Sequence, residues 1–354
     1  MTEGRLAVAY DMTFPNRNDA GSGGYARSLV EAVAARGDVE TVTVAGPSMS
    51  GLLGTLGWML RGAAASVATS GARLLHCPTF VTPWNVRVPV VITVHDVATR
   101  RFPQDYPQEW RLYEGRVLPG QARKAALVIA VSETTRQDVI AEYGLAPDRV
   151  VAIHSGVDPA FFAARAIEPE DVTKILFPGA PLARKNLDVV LRAMAAAPRD
   201  SRLARVVLQI SGAVEAEFPD HAHRIASLGL DARVRWLGPV PRKQFPVTVA
   251  EAAAVVYPSL YEGFGFPPLE AMAAGTPVVA SNAPCLPEVL GDAALLVDPL
   301  DDDAFAAALE DVLTKPEVRG RLIASGRRRA ALYTWAACAE KTVAAYRQAL
   351  GEAA

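Results

Sequence analysis

Cysteine is scarce in this chain of 354 residues. Cys77, Cys285 and Cys338 are too few and too scattered for a disulfide framework or a zinc site, which fits a reducing cytosol. Charge is sparse as well. Asp, Glu, Lys and Arg make up 21% of the chain and the formal net charge is -2, so no surface for nucleic acid or another polyanion is expected. Neither half carries the Gly-x-Gly-x-x-Gly fingerprint of nicotinamide enzymes, because the loop after Tyr10 is long and its glycines are wrongly spaced. Met1 is not followed by a basic start and an apolar stretch, so no signal peptide is expected and the expected location is the cytoplasm. Long hydrophobic runs are missing too. The nearest approach, 49–68, holds Trp58 and Met59 but is interrupted by Arg61 and weakened by four glycines, which argues against a membrane span. An ordinary packed helix and an interfacial one, making peripheral contact at the inner membrane face, both stay open for it.

What is present is alternation. Strand-like apolar runs alternate with helical patterns throughout, which predicts an α/β chain with parallel sheets and right-handed crossovers. The first half offers strands at 6–10, 41–44, 74–77, 90–94, 127–131 and 150–153. The second offers 175–177, 206–210, 234–237, 255–257, 277–280 and 295–297. Two similar sets in a chain of this length imply two doubly wound domains. A linker is expected between Gly156 and Thr173, where Asp158-Pro159, Glu168-Pro169 and mixed charge break the periodicity.

The chain is organised around 257–280. An apolar run ending at Tyr257 leads into a glycine-rich loop, Glu262 to Phe266, and then a short helix with Pro267 and Pro268 in its first turn and Gly275 at its end. That order places Glu262 in a loop at the carboxyl end of a strand, the edge on which open α/β sheets bind ligands, and Glu270 on the helix behind it. Carboxylates accept hydrogen bonds from hydroxyls, while loop amides at a positive helix end favour phosphate, so the pair suits a sugar nucleotide. A dipole-complementing Glu270 and a solvated Glu262 fit the same residues.

Three other stretches carry chemistry. Arg184-Lys185-Asn186 precedes a helix for which Asn186 is a plausible cap, so two cations stand at a positive helix end, a conflict that a bound phosphate would relieve. The strand Val90 to Val94 is apolar throughout and delivers His95 and Asp96 to the crevice edge, where a satisfied structural histidine is the alternative. Gly21, Gly23 and Gly24 lead into a helix and allow close backbone approach to a ligand, or form a flexible start to that helix. Ser132 is read as a cap. Asp301-Asp302-Asp303 is read as a helix start rather than a metal motif.

The segment Glu262-Gly-Phe-Gly-Phe-Pro-Pro-Leu-Glu270 resembles the E-x7-E element of retaining glycosyltransferases of the GT-B fold, in family 4, and 281–299 resembles that family as well. The likeness covers nearly the whole chain. It implies two Rossmann-like domains facing across a crevice: 1–165 on the acceptor side, 166–335 binding the nucleotide sugar, and a helix at 336–354 crossing back to the first. It implies metal-independent, retaining transfer of a hexose from a nucleoside-diphosphate sugar to a hydroxyl of a glycan, lipid-linked or small-molecule acceptor, with no further cofactor. GDP-mannose is the favoured donor, and UDP- and dTDP-hexoses are the alternatives. By the resemblance, Arg184 and Lys185 hold the diphosphate, Glu270 the ribose, and Glu262 with Gly263, Phe264 and Gly265 the sugar. Leu269 and Gly212 join the donor site, Gly23 and Gly24 approach the phosphates, and His95 meets the reacting centre. Asp96 orients the His95 ring or binds acceptor. Ser155 and Ser211 depart from the family's usual Asn and Gly. A sugar-nucleotide 2-epimerase of the same fold and a non-catalytic carbohydrate-binding subunit are the competing readings.

Overall fold

The computed structural model describes residues 5–17, 21–46, 57–79, 81–165 and 173–352. Parts of three stretches discussed above, 18–20, 49–56 and 166–172, lie outside them. The chain divides into two compact units, Met1–Gly156 with Tyr333–Ala354, and Val157–Leu332. These divisions fall ahead of the expected 165/166 and 335/336. The physical reason lies in the stretch read as linker, which contains a helix, Pro159–Ala163, capped by the Asp158 side chain; its Phe161 is buried and meets Phe245 edge-on at 6.0 Å, so it belongs to the second unit's core.

The first unit holds six parallel strands: β1 (Leu6–Asp11), β2 (Val39–Val44), β3 (Leu74–Cys77), β4 (Val90–Val94), β5 (Leu127–Ala130) and β6 (Val150–Ala152), in the order β2-β1-β3-β4-β5-β6. The second holds β7 (Lys174–Pro178), β8 (Val207–Ser211), β9 (Val234–Gly238), β10 (Ala254–Tyr257), β11 (Val278–Ser281) and β12 (Leu295–Val297), ordered β12-β11-β10-β7-β8-β9. Every strand pair is parallel. Each expected strand is found, three with the expected bounds and the others displaced by a residue or two at their ends. The central strands are buried on both faces, as their uninterrupted valine, isoleucine and leucine content requires.

In both sheets the order reverses at one point, β1/β3 in the first and β7/β10 in the second, and connections leave in opposite directions there. Reversal opens a crevice beyond the carboxyl ends of the strands. The second sheet's crevice therefore lies between the loops that carry Arg184-Lys185 and Glu262.

Arginines tie helix ends together on the amino edge of the second sheet, away from its crevice. From Pro316–Ala330, Arg319 donates to Ala253 O, Arg327 to Ala274 O and Arg329 to Val289 O, each a carbonyl at or just past a helix's last turn that has lost its helical partner. In the first unit the helix Trp335–Ala349 packs on Ser22–Arg36. Residues 57–70 form a helix whose first turn is a π-bulge; Trp58 and Met59 are buried and Trp58 Nε1 donates to Asp11 Oδ2 at 3.2 Å. So the described part of 49–68 is a packed helix, and among the described residues no helix is long and apolar enough to cross a membrane.

Close packing at one glycine yields a test. A Cβ on Gly156 would lie 2.3 Å from the Trp335 backbone nitrogen, so Gly156→Ala forces two backbone segments apart. We expect it to lower the chemical-denaturation midpoint, with a loss of about 1–3 kcal/mol or more; an unchanged midpoint would refute the contact.

Candidate functional site

In the second unit the loops after β7 and β10 are tied together. Leu260 N donates to Arg184 O at 2.7 Å, and the Asn186 side-chain amide donates to Pro258 O at 3.2 Å and Pro299 O at 2.7 Å. Asn186 stands at the N-cap position, but its side chain does not cap the helix. It adopts a left-handed backbone (φ 53°), which asparagine tolerates, and its amide is spent on the neighbouring loops.

The stapling brings Arg184, Lys185 and Glu262 together. Lys185 Nζ lies 2.5 Å and Arg184 Nη1 3.1 Å from the same oxygen, Glu262 Oε1, and all three side chains are nearly buried. Lys185 Nζ also donates to the Tyr257 hydroxyl at 2.6 Å. Burial alone would raise the Glu262 carboxyl, but the Lys185 and Arg184 charges and the Lys185 hydrogen bond outweigh it and bring it down to about 2. Tyr257 was not among the residues singled out from the sequence. Its signal was a phenol closing an otherwise apolar, fully buried strand, where its hydroxyl must find a partner.

Glu270 behaves in the opposite way. It is buried on the helix Phe266–Ala274, and burial pushes its carboxyl up to about 7, against the pull of Arg242 and with the Asp158 charge adding to the rise. Arg242, ion-paired to Asp158 at 3.1 Å, is a second residue the sequence reading passed over. Gly265 caps this helix with φ 91°, and a Cβ there would lie 2.8 Å from Leu286 Cδ2, so glycine is required. Gly263 and Phe264 precede it in the loop. Phe264 is buried edge-on against Phe266 and Leu269 is fully buried, so the surface these two offer a ligand is mainly backbone. Gly212 (φ 85°) packs on Gly179, where an added Cβ would lie 3.1 Å from the Gly179 Cα.

In the first unit His95 follows β4. Its Nε2 bonds Pro78 O at 3.0 Å and its ring meets Tyr25 edge-on at 4.8 Å. Asp96 does not orient that ring: its Oδ1 accepts from Ala98 N at 2.8 Å, closing its own turn. Gly23 and Gly24 are buried in the first turn of Ser22–Arg36, where amides lack helical acceptors. Ser132 caps its helix by accepting from Thr135 N at 3.0 Å, and Asp301 caps another through Ala304 N at 2.9 Å. Asp302 pairs with Arg192. Among the described residues no group of three or more His, Cys, Asp or Glu is placed to hold a metal ion.

Two doubly wound α/β units, each a six-stranded parallel sheet with one reversal of strand order, make up the GT-B fold. The family model for glycosyl transferases group 1 matches residues 161–329, and that for Glycosyltransferase Family 4 matches residues 21–161. The chain belongs to this glycosyltransferase family. It is 32% identical over 284 residues to the O-antigen chain mannosyltransferase B of Escherichia coli, covering 77% of this chain and 74% of that one. It is 34% identical over 239 residues to the MMP alpha-(1->4)-mannosyltransferase of Mycolicibacterium hassiacum, covering 66% of this chain but only 56% of that protein. A D-inositol 3-phosphate glycosyltransferase of Nocardioides is likewise 34% identical over 250 residues, covering 64% of this chain and 55% of its own length. Among solved structures, the sucrose-phosphate synthase of Thermosynechococcus elongatus superposes with a TM-score of 0.80 at 22% identity, covering 98% of this chain and 100% of that one. Anabaena HepE in complex with UDP and glucose gives 0.75 at 19%, covering 97% and 99%. At those identities the structures speak for the fold alone.

The two glutamates predict opposite pH responses. Between about pH 4.5 and 7 native Glu270 keeps a proton that the unfolded chain has lost, so its contribution to stability falls as pH rises through that window. Glu270→Gln should match the wild type below pH 4.5 and exceed it by roughly 3 kcal/mol at pH 8. Equal unfolding midpoints at pH 8 would place Glu270 in water.

Proposed function

We propose that this glycosyltransferase is retaining and metal-independent, and that it moves a hexose from a nucleoside-diphosphate sugar, GDP-mannose in preference, to a hydroxyl of a glycan, lipid-linked or small-molecule acceptor. The observation that carries the reading is the convergence of Lys185 and Arg184 on one oxygen of Glu262 at the strand-order reversal. Two buried cations against one carboxylate favour a second anion, and a diphosphate supplies it. Mannosyl transfer is named for two of the relatives above, and UDP is present in the Anabaena structure, so GDP and UDP donors are the first to test.

On this reading Glu262 stays ionised and accepts hydrogen bonds from sugar hydroxyls. Glu270 takes the ribose hydroxyls. The bond from the anomeric carbon to the diphosphate breaks with both electrons leaving on phosphate oxygen, where Lys185 and Arg184 stabilise the growing charge. The acceptor oxygen bonds the same face of that carbon, and its proton passes to the departing phosphate, so no covalent enzyme intermediate is needed. His95 keeps the role implied by the resemblance, contact with the reacting sugar. Neither Asp301-Asp302-Asp303 nor any other carboxylate is assigned a metal.

Thermal melting with GDP, UDP, ADP and dTDP, each with and without EDTA, tests the donor site. A nucleotide at a hundred times its Kd should add about 2.7 kcal/mol of stability, insensitive to EDTA and lost in Glu270→Ala. With the matching sugar nucleotide and an acceptor, Lys185→Ala should abolish release of the nucleoside diphosphate. Near-normal turnover in that variant overturns the phosphate assignment, an inverted anomeric centre in the product overturns retention, and EDTA-sensitive turnover overturns metal independence.

A further inference from the structure

A buried chain of polar groups runs through the first unit behind His95. Tyr346, on the helix Trp335–Ala349, donates its hydroxyl hydrogen to Tyr10 Oη at 3.0 Å. Its oxygen therefore faces His76 Nδ1, 2.6 Å away, as an acceptor, and Nδ1 carries the proton. Neutral imidazole has one N–H, so His76 Nε2 is an acceptor and the hydroxyl of Thr93, at 2.8 Å, must donate to it. With that hydrogen committed, Thr93 Oγ1 can only accept from the Tyr25 hydroxyl at 3.3 Å. His76 is neutral because burial, with some help from His95, brings it down to about 3. Tyr25, Thr93, His76, Tyr346 and Tyr10 are all at most 1% exposed. The relay thus has one polarity, Tyr25 to Thr93 to His76 to Tyr346 to Tyr10, set by the direction of the Tyr346–Tyr10 hydrogen bond.

At its head, the Tyr25 ring stands perpendicular to that of His95, at 88° and 4.8 Å, and Trp335 is tilted against Tyr25 at 5.7 Å. His95 Nε2 lies 3.0 Å from Pro78 O, an oxygen with no hydrogen to give, so Nε2 must be the donor. In the neutral ring Nδ1 is then the lone-pair nitrogen. We infer that Tyr25 is a positioning residue, held by the relay from the C-terminal helix, that fixes His95 in the Nε2–H tautomer with Nδ1 offered as a hydrogen-bond acceptor. Such a nitrogen accepts from an O–H or N–H donor, a sugar hydroxyl among them. Burial lowers the His95 ring below the ordinary histidine range, against the opposing effects of Pro78 O and Asp96, which keeps the lone pair available at neutral pH. The substrate role of that acceptor rests on the glycosyltransferase reading above; the tautomer and its dependence on Tyr25 do not.

Side-chain nitrogen NMR of the full chain, with His95 assigned through His95→Gln, tests this without turnover. At pH 7 the wild type should show neutral His95 protonated on Nε2 only. Tyr25→Leu, which removes ring and hydroxyl, should give mixed tautomers and lower kcat by about ten- to a hundredfold, leaving nucleotide affinity unchanged. Tyr25→Phe should restore most of both signals. Tyr346→Phe breaks the relay far from His95 and should move the His95 signal in the same direction by less, so it serves if Tyr25→Leu does not fold. A wild-type His95 protonated on Nδ1 or cationic at pH 7 overturns the inference. So does an unchanged His95 signal in folded Tyr25→Leu, or in Tyr346→Phe where Tyr25→Leu fails to fold. A wild type with the expected tautomer but no transfer from any sugar nucleotide would remove the reaction and leave the positioning intact.

Discussion

A carboxylate taken out of water is the constraint around which the second unit is arranged. Glu262 can remain ionised in its loop only because Lys185 and Arg184 reach it from the neighbouring loop, and removing one partner of a buried pair strands the other charge at a cost of about 3–5 kcal/mol. Much of the local structure serves that meeting. The strand-order reversal sets β7 beside β10, the left-handed Asn186 ties their loops together, and Tyr257 fills the third side of the lysine. Such an arrangement is poor value for stability alone, since well-packed apolar side chains would do as well or better. It is better understood as a site whose charges are already placed.

The same helix-and-loop segment then separates its two carboxyls. Glu262 is drawn down by cations, while Glu270, eight positions on, is pushed up by burial with Arg242 as its main counterweight. Pairs of titratable groups driven apart by their surroundings generally divide the labour of a site. On the proposed reading the ionised member faces the reacting sugar and the other receives ribose hydroxyls. A ligand that donates hydrogen bonds to Glu270 would lower its carboxyl and favour the ionised form, so binding and proton loss are linked at that position.

The sheets were legible because strands buried on both faces need continuous apolar runs, and such runs are visible without any structure. The Arg184-Lys185 pair was legible for a different reason, as a local electrostatic conflict. What escaped notice depended on long-range geometry. Asn186 reads as a cap until β12 and its following loop bring Pro299 O within reach of its amide. Asp96 reads as a partner for His95 until the backbone turns its carboxylate onto Ala98 N. The helix Pro159–Ala163 reads as linker because its five residues, proline first, carry too little periodicity to announce themselves, and only Phe161's burial among residues far along the chain gives it a place. Tyr257 was hidden by its own strand, whose apolar character describes three of its four residues.

The first unit shows how a polar core can carry direction as well as stability. A buried hydroxyl contributes one hydrogen, so a chain of hydroxyls and neutral imidazoles anchored at one end by a fixed donor has a single consistent order of donors. Here the fixed point is Tyr346, and the order it imposes passes through β3 and β4 to Tyr25. Reversing any one link alone would leave a buried donor facing a donor, at a cost of about 1–3 kcal/mol, so the links keep a common order without a charged group in the chain. The helix at the end of the sequence thereby becomes part of what determines the environment of a histidine 251 positions before it, at Tyr346 and His95 respectively. That dependence explains why a phenol, rather than an equally well-packed phenylalanine, belongs on its buried face.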